Sequence, residues 1–342
     1  LDFPIFLIGT GYIQAFVRSN SPADLNEALV WYDRLQQSYP RSPKLKEALL
    51  KKIDILRTLK REPEAIKLMK QILDGGIAIR IDPKERNKLL KDLTQIYYNQ
   101  ANWKEGLPIF TQLLTEASDF NSQAWAAAAC FEAYIAEKRL DDAMALLPML
   151  ARESEVRYLP RLNVALLKAS DTMVAKERLE DTSIILSLIK TTDIMIEHHE
   201  AQLASKQAKI QFNQDMGLEN ENTERLGQEV KNLQVTLEHL RKLPTLRNAL
   251  LVRRARNYTK TARRYEAFWM FYDLMIENPE DEQIQFFTYA AFSNALQIDK
   301  TETAIIIGRD YRSKFPKGLY YPDITVALVS ALKKSGDQTE FV

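Results

Sequence analysis

The chain stops and restarts its helices in the same manner at three places, "QQSYPRSPKLKEAL", "IENPEDEQIQFF" and "SKFPKGLYYPDITVAL". Pro40 cannot continue a helix, because it lacks an N–H and its ring clashes with the preceding turn. Ser42 then offers an N-cap oxygen, and Pro43 stands at the first helical position, where a missing donor costs nothing. Upstream, Ala28, Tyr32 and Leu35 share one helical face at steps of four and three. The same small–large–large face returns as Ala65, Met69 and Ile72; Gly106, Phe110 and Leu113; Ala143, Leu147 and Leu150; and Thr182, Leu186 and Ile189. It returns twice more, as Ala267, Phe271 and Leu274 before Pro279, and as Ala304, Gly308 and Tyr311 before Pro316. The small residues are spaced 37, 41, 37, 39, 85 and 37 residues apart.

A small residue at the first position lets two helices approach closely, and the bulkier pair fills the space between units. Each such helix follows another helical stretch with its own apolar face, such as Leu49, Ile53 and Leu56; Leu90, Leu93 and Tyr97; or Leu251, Ala255 and Tyr258. The repeating unit is therefore a helix–turn–helix hairpin, and the fold class expected is all-α. Composition agrees: 46% apolar and 27% charged residues suit a folded chain, and 10 Gly with 13 Pro in 342 residues leave little material for elaborate loops.

At this point the chain resembles the tetratricopeptide repeat (TPR) family, whose pattern runs large, small, aromatic, then Ala…aromatic…Ala…Pro. The resemblance is fullest in "LLVRRARNYTKTARRYEAFWMFYDLMIENP" and "GYIQAFVRSNSPADLNEALVWYDRLQQSYP". The spacing exceeds the family's period of about 34 residues and the Trp-Leu-Gly signature of the first helix is absent. An α-helical solenoid of another type is the alternative. The "YPRSP" junction is similar to the inter-repeat junction of bacterial cell-envelope TPR proteins, which implies a periplasmic or envelope location, with the cytoplasm as alternative.

The 85-residue gap holds one ordinary unit and an insert. Ile189, Ile196, Leu203 and Ile210 are spaced seven apart, and after "NQDMGLENEN" a second series runs Leu226, Val230, Leu233, Leu237 and Leu240. Alternating steps of four and three make a heptad seam. Gly217 with its Asp and Asn neighbours marks a tip turn. The expectation is an antiparallel coiled-coil hairpin that runs straight on from the Thr182 helix and ends at Pro244. Its ascending seam is diluted by Thr192, His199 and Lys206. The domains expected are TPR-like repeats over 1–189, the coiled-coil insertion over 190–243, and further repeats over 244–342. The closing stretch reads as the first helix of another unit without its partner, so continuation past Val342 is expected.

No chemistry-bearing motif emerges. Adjacent His198 and His199 point about 100° apart on a helix, so they lack the i, i+4 geometry of a zinc-binding helix. His239 on the opposite arm is the only other histidine. Cys130 lies in the alanine-rich "AWAAAACFEAY" and reads as a core residue. Phosphate-binding loops, nucleophile elbows and calcium loops are absent from the sequence. No cofactor, metal or enzymatic activity is expected. The apolar "FPIFLIGTGYIQAFV" is interrupted by Gly9, Gly11 and Gln14, and is too short and mixed to span a bilayer.

The stretch "RKLPTLRNALLVRRARNYTKTARRYEAF" is strongly basic, but the net charge is only +1. Tyr258 takes a core position and the arginines wrap several faces, which favours a solvated face paired with the acidic 277–282 segment over a nucleic-acid surface. The family resemblance implies a groove lined by first helices. Carried onto this sequence, it nominates Lys88, Lys91, Gln95 and Tyr98; Trp125 and Glu132; Arg256; and Phe286, Tyr289 and Ser293. Trp125 and Tyr98 are the expected anchors of a bound protein or peptide. The function expected is a non-catalytic protein-interaction scaffold with the hairpin as a second arm. The alternatives are a structural protein that self-assembles through solenoid and hairpin, and an adaptor for nucleic acid.

Overall fold

The computed structural model describes residues 2–218 and 221–336, and every regular element among them is helical. Part of the expected tip turn, at 219–220, and the segment after the final helix, at 337–342, lie outside the described residues. The chain divides into two compact units, Leu1–Leu146 and Leu147–Val342.

In the first unit the helices are α1 (Asp2–Ser19), α2 (Pro22–Ser38), α3 (Leu45–Thr58), α4 (Glu62–Leu73), α5 (Pro83–Asn99), α6 (Trp103–Glu116), α7 (Phe120–Ala136) and α8 (Leu140–Ala145). Each packs on its neighbour in sequence, so the unit is a row of hairpins. Ala28, Ala65 and Ala143 are fully buried, as are Tyr32, Leu35, Met69, Phe110 and Leu113. Gly106 shows why the position must be small: a Cβ there would stand 2.4 Å from the Phe110 ring. Cys130 is fully buried, and burial pushes its thiol up to about 11, so it stays a neutral core residue.

The second unit holds α9 (Leu147–Ala151), a 3-10 turn over Glu155–Tyr158, α10 (Pro160–Ala175), α11 (Leu179–Leu188), α12 (Thr192–Asp215), α13 (Glu221–Lys242), α14 (Arg247–Lys260), α15 (Arg264–Glu277), α16 (Ile284–Gln297), α17 (Thr301–Lys314) and α18 (Tyr321–Ser335). Here Thr182, Leu186, Ala267, Phe271, Leu274, Ala304 and Tyr311 are buried.

The turn inside each hairpin carries a signature that the hydrophobic pattern does not reveal. Among the described residues, the non-glycine positions with positive φ are Asn20, Lys60, Ala101, Lys138, Glu177, Ala262 and Asp299. Each sits one or two residues after a first helix, at the same point of its hairpin. After six of them the next residue's N–H reaches back five residues to the first helix, as in Arg61 to Leu56 at 2.8 Å and Arg263 to Tyr258 at 2.8 Å. That bond satisfies a helix-terminal carbonyl and sets the reversal. In four hairpins the following arginine then pairs with an acid three residues on: Arg61–Glu64, Arg139–Asp142, Arg178–Asp181 and Arg263–Glu266.

Between α11 and α14 stand the two long helices of the insert. Lys206 pairs with Glu229, and Arg241 with Glu200 at 2.6 Å, so α12 and α13 run antiparallel. The 24 residues of α12 reach about 36 Å. Leu226, Leu237 and Leu240 are buried, together with Thr192, Met195 and His199 on α12. One expectation is corrected. α12 does not run on from α11: the chain leaves the helix at Ile189, which is extended, and restarts at Thr192. The cause is a buried side chain, Asn163, whose carboxamide oxygen accepts the Lys190 N–H at 2.7 Å.

The base of the insert carries the histidines. His198 stacks on Tyr158 with ring centroids 3.5 Å apart, and its Nε2 lies 3.2 Å from Glu155. His199 is buried and neither ring nitrogen has a partner within hydrogen-bond distance. Burial, and then the adjacent His198, lower its pKa from 6.5. A histidine with a depressed folded-state pKa leaves the fold unpenalised above the unfolded value and costs stability as the pH falls below it. The α12 root is therefore expected to lose hydrogen-exchange protection between pH 7.5 and 5.5, and His199→Phe to flatten that dependence. An unchanged slope in the variant would place the titration elsewhere.

Candidate functional site

In the first unit the nominated residues separate into two groups. Lys88 and Lys91 are exposed on α5, with the Lys88 Nζ 3.8 Å from Asp54. Gln95 bonds Asn99 at 2.7 Å and lines an open cleft of about 450 Å³ with Asp54, Arg57 and Glu62. Beside it Asp92 pairs with Arg57 at 2.8 Å, yet burial of the carboxyl dominates and raises its pKa.

Tyr98, Trp125 and Glu132 form the second group. The Tyr98 hydroxyl donates to Glu132, and its ring meets Trp125 edge-on at 4.7 Å and Trp103 at 5.9 Å. Tyr98 is only 3% exposed. It is packed as a brace that orients Trp125 and Glu132, both half-buried, and offers no face of its own.

In the second unit Arg256, Phe286 and Tyr289 come together, and the loop before α18 adds two residues that the sequence reading did not nominate, Leu319 and Tyr320. Arg256 on α14 lies over the Phe286 ring at 4.7 Å, and the Tyr289 and Tyr320 rings stack at 4.4 Å. Phe286 is buttressed from below by buried Phe271, edge-on at 5.5 Å. The open cleft between these groups has a volume of about 480 Å³ and takes Glu282, Gln283 and Gln285 into its rim. Ser293 is half-buried further along α16 and does not line it.

A polar knot fixes the loop that carries Tyr320. The buried Tyr311 hydroxyl donates to Gln285 Oε1 at 3.0 Å and accepts the Tyr320 N–H at 3.1 Å, while Gln285 Oε1 also accepts the Leu319 N–H at 3.2 Å. Gly318 leaves room for the knot, since a Cβ there would stand 2.4 Å from the Tyr311 oxygen. Burial raises the Tyr311 pKa, so the hydroxyl keeps the proton it donates. The Arg256 guanidinium makes no ion pair among the described residues, and its hydrogen-bond partner there is Gln283 at 3.5 Å. The cleft thus presents an aromatic shelf, an uncommitted cation and side-chain amides on rigid helices.

Most of the other arginines are committed. Arg253 binds Asp171 through two nitrogens at 2.8 and 2.7 Å, and Arg247 pairs with Glu277 at 3.1 Å. Arg254 donates to the Leu186 carbonyl at 2.9 Å, and Arg263 covers the Tyr258 ring at 4.2 Å. The basic stretch is therefore distributed over intramolecular partners. Among the described residues no group of three or more His, Cys, Asp or Glu is placed to hold a metal ion, and no helix is long and apolar enough to cross a membrane.

No protein-family model matches the chain, and no curated protein matches it. Among solved structures it is similar to a tetratricopeptide repeat protein from Parabacteroides merdae, at 14% identity and a TM-score of 0.39, over 84% of this chain and 99% of that one. A second similar chain comes from the structure of Naa15/Naa10 bound to HypK-THB, at 16% identity and a TM-score of 0.33, over 91% of this chain and 43% of that one. Paired helices, buried small residues and recurrent left-handed turns make the fold an all-α array of TPR-like hairpins.

Proposed function

We propose that the chain is a non-catalytic protein-interaction scaffold that holds an extended peptide segment of a partner in the α14–α16–α18 cleft. The observation that supports this most is the uncommitted Arg256 over Phe286, beside the stacked Tyr289–Tyr320 pair. Partly exposed aromatics and arginine, pre-oriented on helices, are the side chains from which binding energy is drawn. Guanidinium and amides would take a carboxylate and main-chain groups of the segment, and the aromatic shelf an apolar side chain. Trp125, Glu132, Lys88, Lys91 and Gln95 provide a separate surface in the first unit.

The insert over 190–243 serves in this reading as a second arm between repeat regions 1–189 and 244–342. Location in the cell envelope is part of the same proposal and rests on the Pro40–Pro43 junction.

The test is affinity capture with quantitative mass spectrometry on the intact chain and on Arg256→Glu and Phe286→Ala. Proteins captured by the wild type are expected to fall about tenfold in both variants, the change that a loss of about 1.4 kcal/mol produces. Equal capture by all three would remove the cleft from recognition.

A further inference from the structure

The second helix of each hairpin has one face in the core, and in α15 that work is done by Ala267, Phe268, Phe271 and Leu274, all buried. α15 also carries a second apolar row: Tyr265, Trp269, Tyr272 and Ile276, at steps of four, three and four. Tyr265 is 56%, Trp269 41% and Ile276 59% exposed. The repeats provide an internal control. Aligned on the small residue, the other hairpins carry Asn26, Pro63, Lys104, Asp141, Glu180 and Glu302 where α15 has Tyr265. Where α15 has Ile276 they carry Gln37, Asp74, Thr115, Arg152, Thr191 and Ser313. At the Trp269 position they carry Val30, Lys67, Pro108, Ala145, Ile184 and Ile306, so an apolar residue is common there. It is the two ends of the row, filled elsewhere by polar residues or proline, that packing within the array does not call for.

The row is also pre-built. Trp269 meets Phe268 at 5.1 Å, Tyr272 at 5.8 Å and Tyr265 at 6.3 Å, all near edge-on, and Lys300 lies 5.6 Å over its ring. An aromatic side chain already held in one orientation loses little freedom on binding. Along one edge, at the next helical positions, stand Glu266, Asp273 and Glu277. The first and last are paired within the chain, but the exposed Asp273 has no ion pair among the described residues.

We propose that this face of α15 docks an amphipathic helix of a partner protein, with an apolar seam and lysine or arginine along the edge that meets Asp273. A row that follows one helix at steps of four and three has the spacing of a helix–helix seam. From Tyr265 to Ile276 the row spans about 17 Å, three turns of a partner helix. A strand would find no free backbone edge here, since every regular element among the described residues is helical. The surface is independent of the cleft of Arg256.

The probe is a synthetic helix of about 18 residues, long enough to hold helical structure, with leucine along one seam and lysine along one flank. It is titrated calorimetrically into the full chain. Binding is expected, with about a tenfold loss in Trp269→Glu, again in Ile276→Lys, and again when the flank lysines become glutamate. Both variants alter exposed positions, and circular dichroism reports that each stays folded. Failure to bind, or equal binding to the variants or to the glutamate peptide, overturns the proposal. So does a concentration-dependent dimer in light scattering that Trp269→Glu abolishes, which would make a second copy the occupant. Binding of α15 to phosphatidylserine vesicles, lost in the same variants, would overturn it in favour of a membrane.

Discussion

Phe271→Ala is expected to destabilise the region of α15 and α16 by about 3–5 kcal/mol, the usual cost of truncating a buried phenylalanine. Phe271 is 1% exposed in a core that also holds Phe268, Phe287 and Phe292. The loss has two parts: the transfer free energy of the ring, and the cavity left among helices that relax only in part. Its edge-on pairing with Phe286 at 5.5 Å adds about 0.5–1.5 kcal/mol that area alone does not count. In a repeat array each unit contacts its neighbours only, so the damage stays local. Native-state hydrogen exchange at the α15 and α16 amides is therefore the measurement to make. A second effect follows at the cleft, because Phe286 loses the wall that holds its ring under Arg256. Partner capture should fall with protection. A loss below 2 kcal/mol, or normal capture beside lost protection, would contradict this account of the wall.

The hairpin array was legible because its signal is redundant. Ala28, Tyr32 and Leu35 mark a buried face, and the same three-residue grammar recurs too often to be accidental. What the grammar does not carry is the turn. Lys60, Lys138, Glu177 and Ala262 take left-handed backbone conformations without being glycine, so the usual composition cue was missing. The signal was present in another form, a basic residue after the turn with an acid three residues on, as in Arg61–Glu64 and Arg263–Glu266.

The site was less legible than the fold, and for a physical reason. The resemblance to the repeat family nominated Arg256, Phe286 and Tyr289 by their positions along the first helices, and their side chains neighbour one another in the second unit. Such a position does not say how deep each side chain lies. Tyr98 was expected as an anchor and is instead buried against Trp125, since one turn of helix separates a groove position from a core position. Leu319 and Tyr320 were missed because a loop contributes them, held by the hydroxyl of Tyr311 in the last turn of α17. No periodicity reports a contact of that kind. The exposed row on α15 was overlooked because its aromatics sit beside the core residues Phe268 and Phe271 and read as one apolar helix.

Asn163→Leu is expected to cost about 2–6 kcal/mol, although it replaces a polar side chain with an apolar one of similar size. Asn163 is fully buried on α10. Its amide nitrogen donates to the Arg157 carbonyl at 2.9 Å and the Leu159 carbonyl at 3.0 Å, and its oxygen accepts the Lys190 N–H. Leucine fills the volume but leaves the Lys190 donor and the Arg157 acceptor without their partner, at about 1–3 kcal/mol for each orphaned group. Those two groups belong to the segments that set the root of the insert: the break between α11 and α12, and the 3-10 turn on which His198 stacks. Thr192 completes the root, accepting the Leu246 N–H and donating to the Pro244 carbonyl, both at 3.2 Å. Loss of the Asn163 bonds should free one side of this clamp while Thr192 holds the other. Exchange protection is then expected to collapse at Lys190 and along the first turns of α12, and to survive in α14 and beyond. Asn163→Asp keeps the acceptor for Lys190 and loses the donor, so its Lys190 amide should stay protected where that of the leucine variant does not. Equal loss at Lys190 in both variants would mean that shape, rather than the hydrogen bond, breaks the helix between α11 and α12.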